Sequence, residues 1–167
     1  MRINKPTAIL LHHEAANNGF ASVNEYHRKK WNFRSSLGFY IGYQLYIGKD
    51  GTINKGRALT EEGSHCRGWN SNSVGICLEG NFVFEKPTSA QLEALKKLLP
   101  KLQEKFNIPN KRIYGHGEIA PTICPAELMV WIKDYRSGTT LQNLATQLEL
   151  LKRKIVMLLK QLALFHR

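Results

Sequence analysis

The run Ala8-Ile-Leu-Leu11 is followed by two histidines, and it constrains this chain more than any other segment. So short an apolar run without alternation, from Thr7 to Leu11, reads as a strand buried on both faces. Such a strand needs a cover on each side of its sheet. Ser73 to Leu78 is a second apolar strand, with Val74, Ile76 and Leu78 alternating with Gly75 and Cys77. Between the two, Phe39 to Ile47 is aromatic and β-branched and reads as a third strand. Lys49-Asp50-Gly51 then supplies a hairpin turn, and Thr52 to Ile53 starts the returning strand. Ile113 to Tyr114 is a short strand leading into Gly115-His116-Gly117.

Two helices separate these strands and a third follows the last of them. Ser22 to Trp31 carries Val23, Tyr26 and Lys30 on one side. Ser89 to Phe106 repeats Leu92, Leu95, Leu99, Leu102 and Phe106 at three-and-four spacing, opened by Thr88 and Gln91 in the form of a capping box. Pro100 lies inside that pattern and is expected to kink the helix or sit on its outer face. A last core helix follows Pro125 and carries Leu128, Trp131, Ile132 and Tyr135. Strands alternating with helices, plus one hairpin, predict an α/β domain on a central mixed β-sheet flanked by helices. The 167 residues divide into a domain over 1–137 and an added C-terminal amphipathic helix over 138–167.

Twenty-four Lys and Arg against thirteen Asp and Glu give a net charge of +11, which implies an anionic partner: nucleic acid, acidic lipid or cell wall. No helix-turn-helix, zinc-finger or aromatic RNA-binding pattern supports nucleic acid. Cys66, Cys77 and Cys124 are too few for a disulfide framework, and a Cys66–Cys77 bridge is disfavoured in a reducing cytosol. Cys77 fits an inert core thiol. The apolar run at Ala8 is too short for a signal-peptide core, so a chain made in the cytosol without its own export signal is expected.

His12 and His13 close the first strand, His116 stands in a glycine-flanked turn, and Cys124 follows between Ile123 and Pro125. A loop held by Pro121 and Pro125 could fold Cys124 back towards His116. One thiolate and two neutral imidazoles would make a three-ligand zinc site with a fourth position open for water. The same residues also read as strand-end histidines and a buried free thiol, and spacing alone leaves both accounts standing.

Five blocks carry a resemblance that bears on this choice: Ile9 to Ala15, Gly42 to Gly51, Gly63 to Asn70, Asn72 to Gly80 and Gly115 to Pro125. In order and spacing, from about Pro6 to Tyr135, the chain resembles the zinc-dependent N-acetylmuramoyl-L-alanine amidases of type 2. That family includes bacteriophage T7 lysozyme and the peptidoglycan-recognition proteins. The resemblance implies His12, His116 and Cys124 as ligands of one catalytic Zn2+, with Tyr43 on the family's active-site tyrosine. Thr122 stands where the phage enzymes carry lysine and the recognition proteins often carry threonine. A threonine there can only hydrogen-bond. Strand alternation puts His13 on the opposite face from His12, as a packing or supporting residue. His65, Trp69 and Asn70 fall in a block that lines the substrate cleft in relatives, and so are candidate substrate contacts.

The implied activity is hydrolysis of the amide joining N-acetylmuramic acid to L-alanine of the peptidoglycan stem peptide, as in a bacteriolytic phage endolysin. Such an enzyme is made in the host cytoplasm and acts on the wall after release. Two alternatives are a non-catalytic peptidoglycan-recognition module and a cytosolic muropeptide-recycling amidase. Binders of this family commonly lose the ligating cysteine, which is present here as Cys124. The recycling enzymes carry a glutamate where Cys77 stands and an aspartate where Cys124 stands.

Beyond Gly138, Leu141, Leu144, Leu148, Leu151, Ile155, Leu158, Leu162 and Phe165 form a heptad seam. Val156, Met157, Leu159 and Leu164 widen it, and Glu149 is the only carboxylate among several lysines and arginines. Over 141–165 this basic apolar helix suits an anionic membrane or outer-membrane surface, self-association, or packing on the domain.

Overall fold

The computed structural model describes residues 4–138 and, beyond them, 148, 151, 152, 155–157 and 159. The first apolar run forms β1 over Ala8–His13, two residues longer than its apolar part, so that both histidines belong to the strand. Its neighbour β4, Ser73–Leu78, runs parallel to it, and every residue of both strands is buried. Their near-continuous apolar character therefore has the expected cause: the centre of the sheet is covered on both faces.

The sheet has five strands. β2, Leu45–Ile47, pairs parallel to β4, and β3, Ile53–Lys55, pairs antiparallel to β2 across the Asp-Gly turn, where Gly51 takes φ +84°. β5, Ile113–Gly115, closes the other edge parallel to β1, giving the order β3-β2-β4-β1-β5. Three helices accompany it: α1 (Gly19–Trp31), α2 (Ser89–Phe106) and α3 (Leu128–Ser137). The mixed α/β architecture is the one expected.

One expected strand is mostly absent. Of Phe39 to Ile47 only Leu45–Ile47 is strand, because side chains have taken the backbone partners of the preceding residues. The N–H groups of Tyr40 and Ile41 donate to Asn24 Oδ1, and that of Gly42 donates to His27 Nδ1. The Ile41 carbonyl accepts from Arg57 Nε at 2.8 Å. Arg57 is itself buried, facing Glu61 at 3.6 Å and donating to the Phe33 carbonyl. The approach to Tyr43 is thus a loop pinned by side chains.

α2 follows its periodicity closely. Leu95, Leu99 and Leu102 are buried, and the Thr88–Gln91 capping box is present. Pro100 lies on the exposed face of the helix, the outward placement allowed for it. Gln91 Nε2 also donates to the Glu79 carbonyl, fastening the start of α2 to the end of β4.

Residues 1–132 and 133–167 form two compact units. In the second, Leu148, Leu151, Lys152, Ile155, Val156, Met157 and Leu159 are helical and exposed. Leu141, Leu144, Leu158, Leu162, Leu164 and Phe165 of the expected seam lie outside the described residues. Among the described residues no helix is long and apolar enough to cross a membrane.

Candidate active site

The parallel register sets His12 beside Cys77, and Cys77 beside Tyr46, so these three side chains project from one face of the sheet. α1 lies on this face, where Val23 packs with Ile41, Tyr46 and Cys77, and Phe20 and Tyr43 lie against that cluster. His13 projects the other way. Its Nδ1 accepts the N–H of Phe82 at 3.0 Å, and its own backbone N–H points at Cys124 Sγ at 3.4 Å. It supports the site without sharing its face.

His116 follows β5 in a single 3-10 turn, His116–Glu118. The loop beyond it does fold back. The N–H of Gly117 donates to the Cys124 carbonyl, and a Cβ at Gly117 would lie 2.4 Å from the Thr122 carbonyl oxygen. Only a residue without a side chain permits so close a return. Thr122 is exposed, and its hydroxyl oxygen accepts the Cys124 N–H at 3.2 Å.

The result brings His12, His116 and Cys124 together, with one donor atom from each within 4.8 Å of the others. The His12 and His116 rings lie 4.5 Å apart, and His12 Nδ1 is 3.9 Å from Cys124 Sγ. In a tetrahedral zinc site, bonds of ~2.05 Å to nitrogen and ~2.3 Å to sulfur put those two atoms about 3.6 Å apart. Donor set and spacing fit zinc. Burial lowers the pKa of both histidines, which favours the neutral imidazoles that a metal needs. Burial also pushes the Cys124 thiol up to about 12, eased by the His13 N–H, so without a cation the sulfur keeps its proton.

Tyr43 stands beside the triad, its ring 5.1 Å from that of His12. Burial, reinforced by the Cys77 and Cys124 sulfurs, raises its pKa well above the usual value, so the phenol remains a proton donor. Two depressions meet at this tyrosine. One, of about 560 Å3, is lined by Glu14, Tyr43, His65 and His116 and walled by Tyr26, His27, Lys30 and Trp31 of α1. The other is lined by Tyr43, Thr122, Cys124 and the exposed Phe84.

The three candidate substrate contacts have different surroundings. His65 lines the larger cleft and contacts His12, with Nδ1 3.2 Å from His12 Nε2. Asn70 Oδ1 accepts the N–H groups of both His65 and Cys66, which shapes the loop that presents His65. Trp69 packs edge-on against Tyr114 at 5.7 Å, close to Ala8, Leu10 and Cys66, with Arg112 over its ring. Cys66, Cys77 and Cys124 are all free thiols, and Cys77 is buried as its strand position implied.

The α1 wall was not singled out from sequence. Its signal is the cluster Tyr26, His27, Lys30 and Trp31, aromatic and basic at one-turn spacing in a helix with few aliphatic residues. Such a face is poorly suited to a core and well suited to a cleft.

Comparison with known proteins agrees with this geometry. The profile described as N-acetylmuramoyl-L-alanine amidase matches residues 2–127. Peptidoglycan-recognition protein 2 of Holotrichia diomphalia is 38% identical over 109 residues, covering 65% of this chain but only 56% of that protein. The endolysin of Escherichia phage T7 is 33% identical over 135 residues, covering 74% of this chain and 83% of the endolysin. Among solved structures, the N-acetylmuramoyl-L-alanine amidase LysC of Clostridium intestinale superposes with a TM-score of 0.71 at 31% identity. The superposition covers 83% of this chain and 90% of LysC. The chain belongs to the N-acetylmuramoyl-L-alanine amidase family.

Proposed function

We propose that this protein is a zinc-dependent peptidoglycan hydrolase that cleaves the amide between N-acetylmuramic acid and L-alanine of the stem peptide. The observation that carries the reading is the His12, His116 and Cys124 cluster at the foot of a cleft, with the Tyr43 phenol beside it. Held by those three residues, zinc would acidify a water and polarise the scissile carbonyl. The remaining work belongs to the chain. The Tyr43 hydroxyl donates to the oxygen on which negative charge develops, and its raised pKa keeps that proton available. The His13 N–H steadies the sulfur of Cys124. Thr122 orders the ligand loop through the Cys124 N–H, which leaves its own hydroxyl proton free to orient a water or the substrate.

The cleft beside α1 accepts one side of the scissile bond and the depression beside Phe84 the other, with His65 and Asn70 shaping the former. As an endolysin the protein acts on the cell wall after leaving the cytoplasm in which it is made. We extend the proposal to the second unit, whose described apolar residues are helical and exposed and whose sequence is basic, a combination suited to an anionic envelope surface. Truncation after Gly138 tests this, with loss of binding to vesicles rich in phosphatidylglycerol as the expected result.

The deciding experiment measures L-alanine amino termini released from purified peptidoglycan. Release that stops with chelator and returns with zinc is expected. Absence of release by zinc-loaded protein overturns the enzymatic reading and leaves a recognition module.

A further inference from the structure

The ring of His65 is held more tightly than a substrate contact needs. Its backbone N–H and that of Cys66 share the Asn70 Oδ1, and the Gly63 N–H donates to the Asn70 carbonyl. Gly63 and Gly75 form a slot for the imidazole. A Cβ at Gly75 would lie 2.4 Å from His65 Cδ2, and one at Gly63 would lie 2.5 Å from it. Gln44 fixes one wall of that slot, its Oε1 accepting the Gly75 N–H at 2.7 Å while its Nε2 donates to the Glu61 carbonyl.

The slot turns the Nδ1 edge of the His65 ring towards His12, while the ring stacks 6.3 Å from that of Tyr43 at the cleft wall. The His65 and His12 rings meet edge-on at 78°, with centroids 5.1 Å apart and His65 Nδ1 3.2 Å from His12 Nε2. His12 is buried, so water does not substitute at that nitrogen. Its other nitrogen, Nδ1, faces the Cys124 sulfur. We propose that His65 is a positioning residue whose Nδ1 lone pair accepts the Nε2–H of His12, fixing the His12 tautomer that leaves Nδ1 free to bind metal.

The proton arithmetic across the pair allows two arrangements. A neutral imidazole carries one N–H. If His65 donated from Nδ1, the His12 proton would sit on Nδ1, pointing at the sulfur and blocking the metal. If His65 accepts, His12 Nδ1 is a free lone pair, and the His65 proton moves to Nε2. That Nε2 is buried and has no hydrogen-bond partner among the described residues, so this arrangement leaves an N–H unmatched. The metal bond at His12 offsets the unmatched donor. A ligating histidine held through its second nitrogen is a general device for orienting the ring and raising its basicity, and here the holder is a second imidazole.

The inference rests on the zinc reading above, and its test is read on metal binding before any turnover. His65→Leu removes the acceptor, whereas His65→Asn places Oδ1 close to where Nδ1 stood. Zinc affinity measured by chelator competition should fall ~10- to 100-fold in the leucine variant. The asparagine variant should retain most of it. In the zinc-loaded wild-type protein, nitrogen-15 spectra should show the ring proton on Nε2 in both His12 and His65. The inference is overturned by unchanged zinc affinity in His65→Leu with a raised KM, which marks a substrate contact only, or by a His65 proton on Nδ1. Should the leucine variant not fold, the wild-type spectrum and the asparagine variant decide. Wild-type protein that binds no zinc overturns the metal reading itself, and this inference with it.

Discussion

α1 and α2 come from the same domain and follow different rules. α2 buries Leu95, Leu99 and Leu102 along one stripe, opens with a capping box and carries none of the residues that line the cleft. α1 buries only Val23 and His27, has no side-chain cap at Asn18, and leaves Tyr26 and Trp31 exposed. Six of its residues, Ser22, Val23, Tyr26, His27, Lys30 and Trp31, line the cleft instead. A helix that only supports is free to optimise its apolar stripe. A helix that also walls a cleft gives those positions to aromatic and basic groups. Substitutions on the site side should therefore change chemistry at nearly constant stability, and substitutions in α2 should do the reverse.

The largest effect tests the site side. Cys124→Ser or His116→Ala should remove chelator-sensitive peptidoglycan cleavage below detection while the circular dichroism spectrum stays that of the wild type. Tyr43→Phe is the next test. On the proposed role of the phenol as donor to the developing oxyanion, kcat should fall ~10²- to 10³-fold with zinc content unchanged. Full activity in Tyr43→Phe would take the phenol out of the mechanism.

The same contrast explains what the sequence discloses. An unbroken apolar run discloses β1 and periodicity discloses β4 and α2, because burial decides those residues, and the five motif blocks point to His12, His116, Cys124 and Tyr43. Phe39 to Gln44 has the composition of a strand but is a loop, because its backbone partners include the side chains of Asn24, His27 and Arg57, set by tertiary contact. The α1 wall leaves only a compositional trace, the aromatic and basic cluster Tyr26, His27, Lys30 and Trp31, because it becomes a wall only when Tyr43 and His65 arrive opposite. The contact between His65 and His12 joins residues 53 positions apart and depends on two glycines making room.

On the α2 side, Leu99→Ala leaves a cavity under a fully buried side chain. It should cost about 2–5 kcal/mol by urea unfolding. Well below its melting temperature the variant should keep the wild-type kcat. A large loss of kcat with little loss of stability would break the division between the two helices.

His27 joins the two roles and should show it through pH. Burial first, then Lys30 and Arg57, lowers its pKa from the usual 6.5 to about 4, and its Nδ1 accepts the Gly42 N–H. The unfolded chain takes up a proton near 6.5 that the folded chain refuses until about 4. Stability from this group is therefore present above pH 6.5 and lost as pH falls through that window. Its slope should be at most about 1.4 kcal/mol per pH unit, and less where solvent reaches the ring. His27→Asn keeps an acceptor without the titration, so its unfolding curves between pH 4 and 7 should be flatter than those of the wild type.

The smallest effect falls on the rim. Lys30 is exposed on α1, its ammonium 5.2 Å from the Tyr26 ring centre and 5.1 Å from that of Trp31, and it lines the cleft. It acts on the buried His27 only through its charge, so Lys30→Ala should change stability at neutral pH by no more than about 0.5 kcal/mol. Carboxylates of a stem peptide entering the cleft would meet this charge in water, where screening is strong. KM for peptidoglycan should rise a few-fold at low ionic strength, and the difference should close as salt is added. Lys30→Arg should keep the wild-type KM across the series, since it preserves the charge. A KM equal to that of the wild type at low salt in Lys30→Ala would mean that substrate does not run along α1, and the exposed side of that helix would then need another explanation.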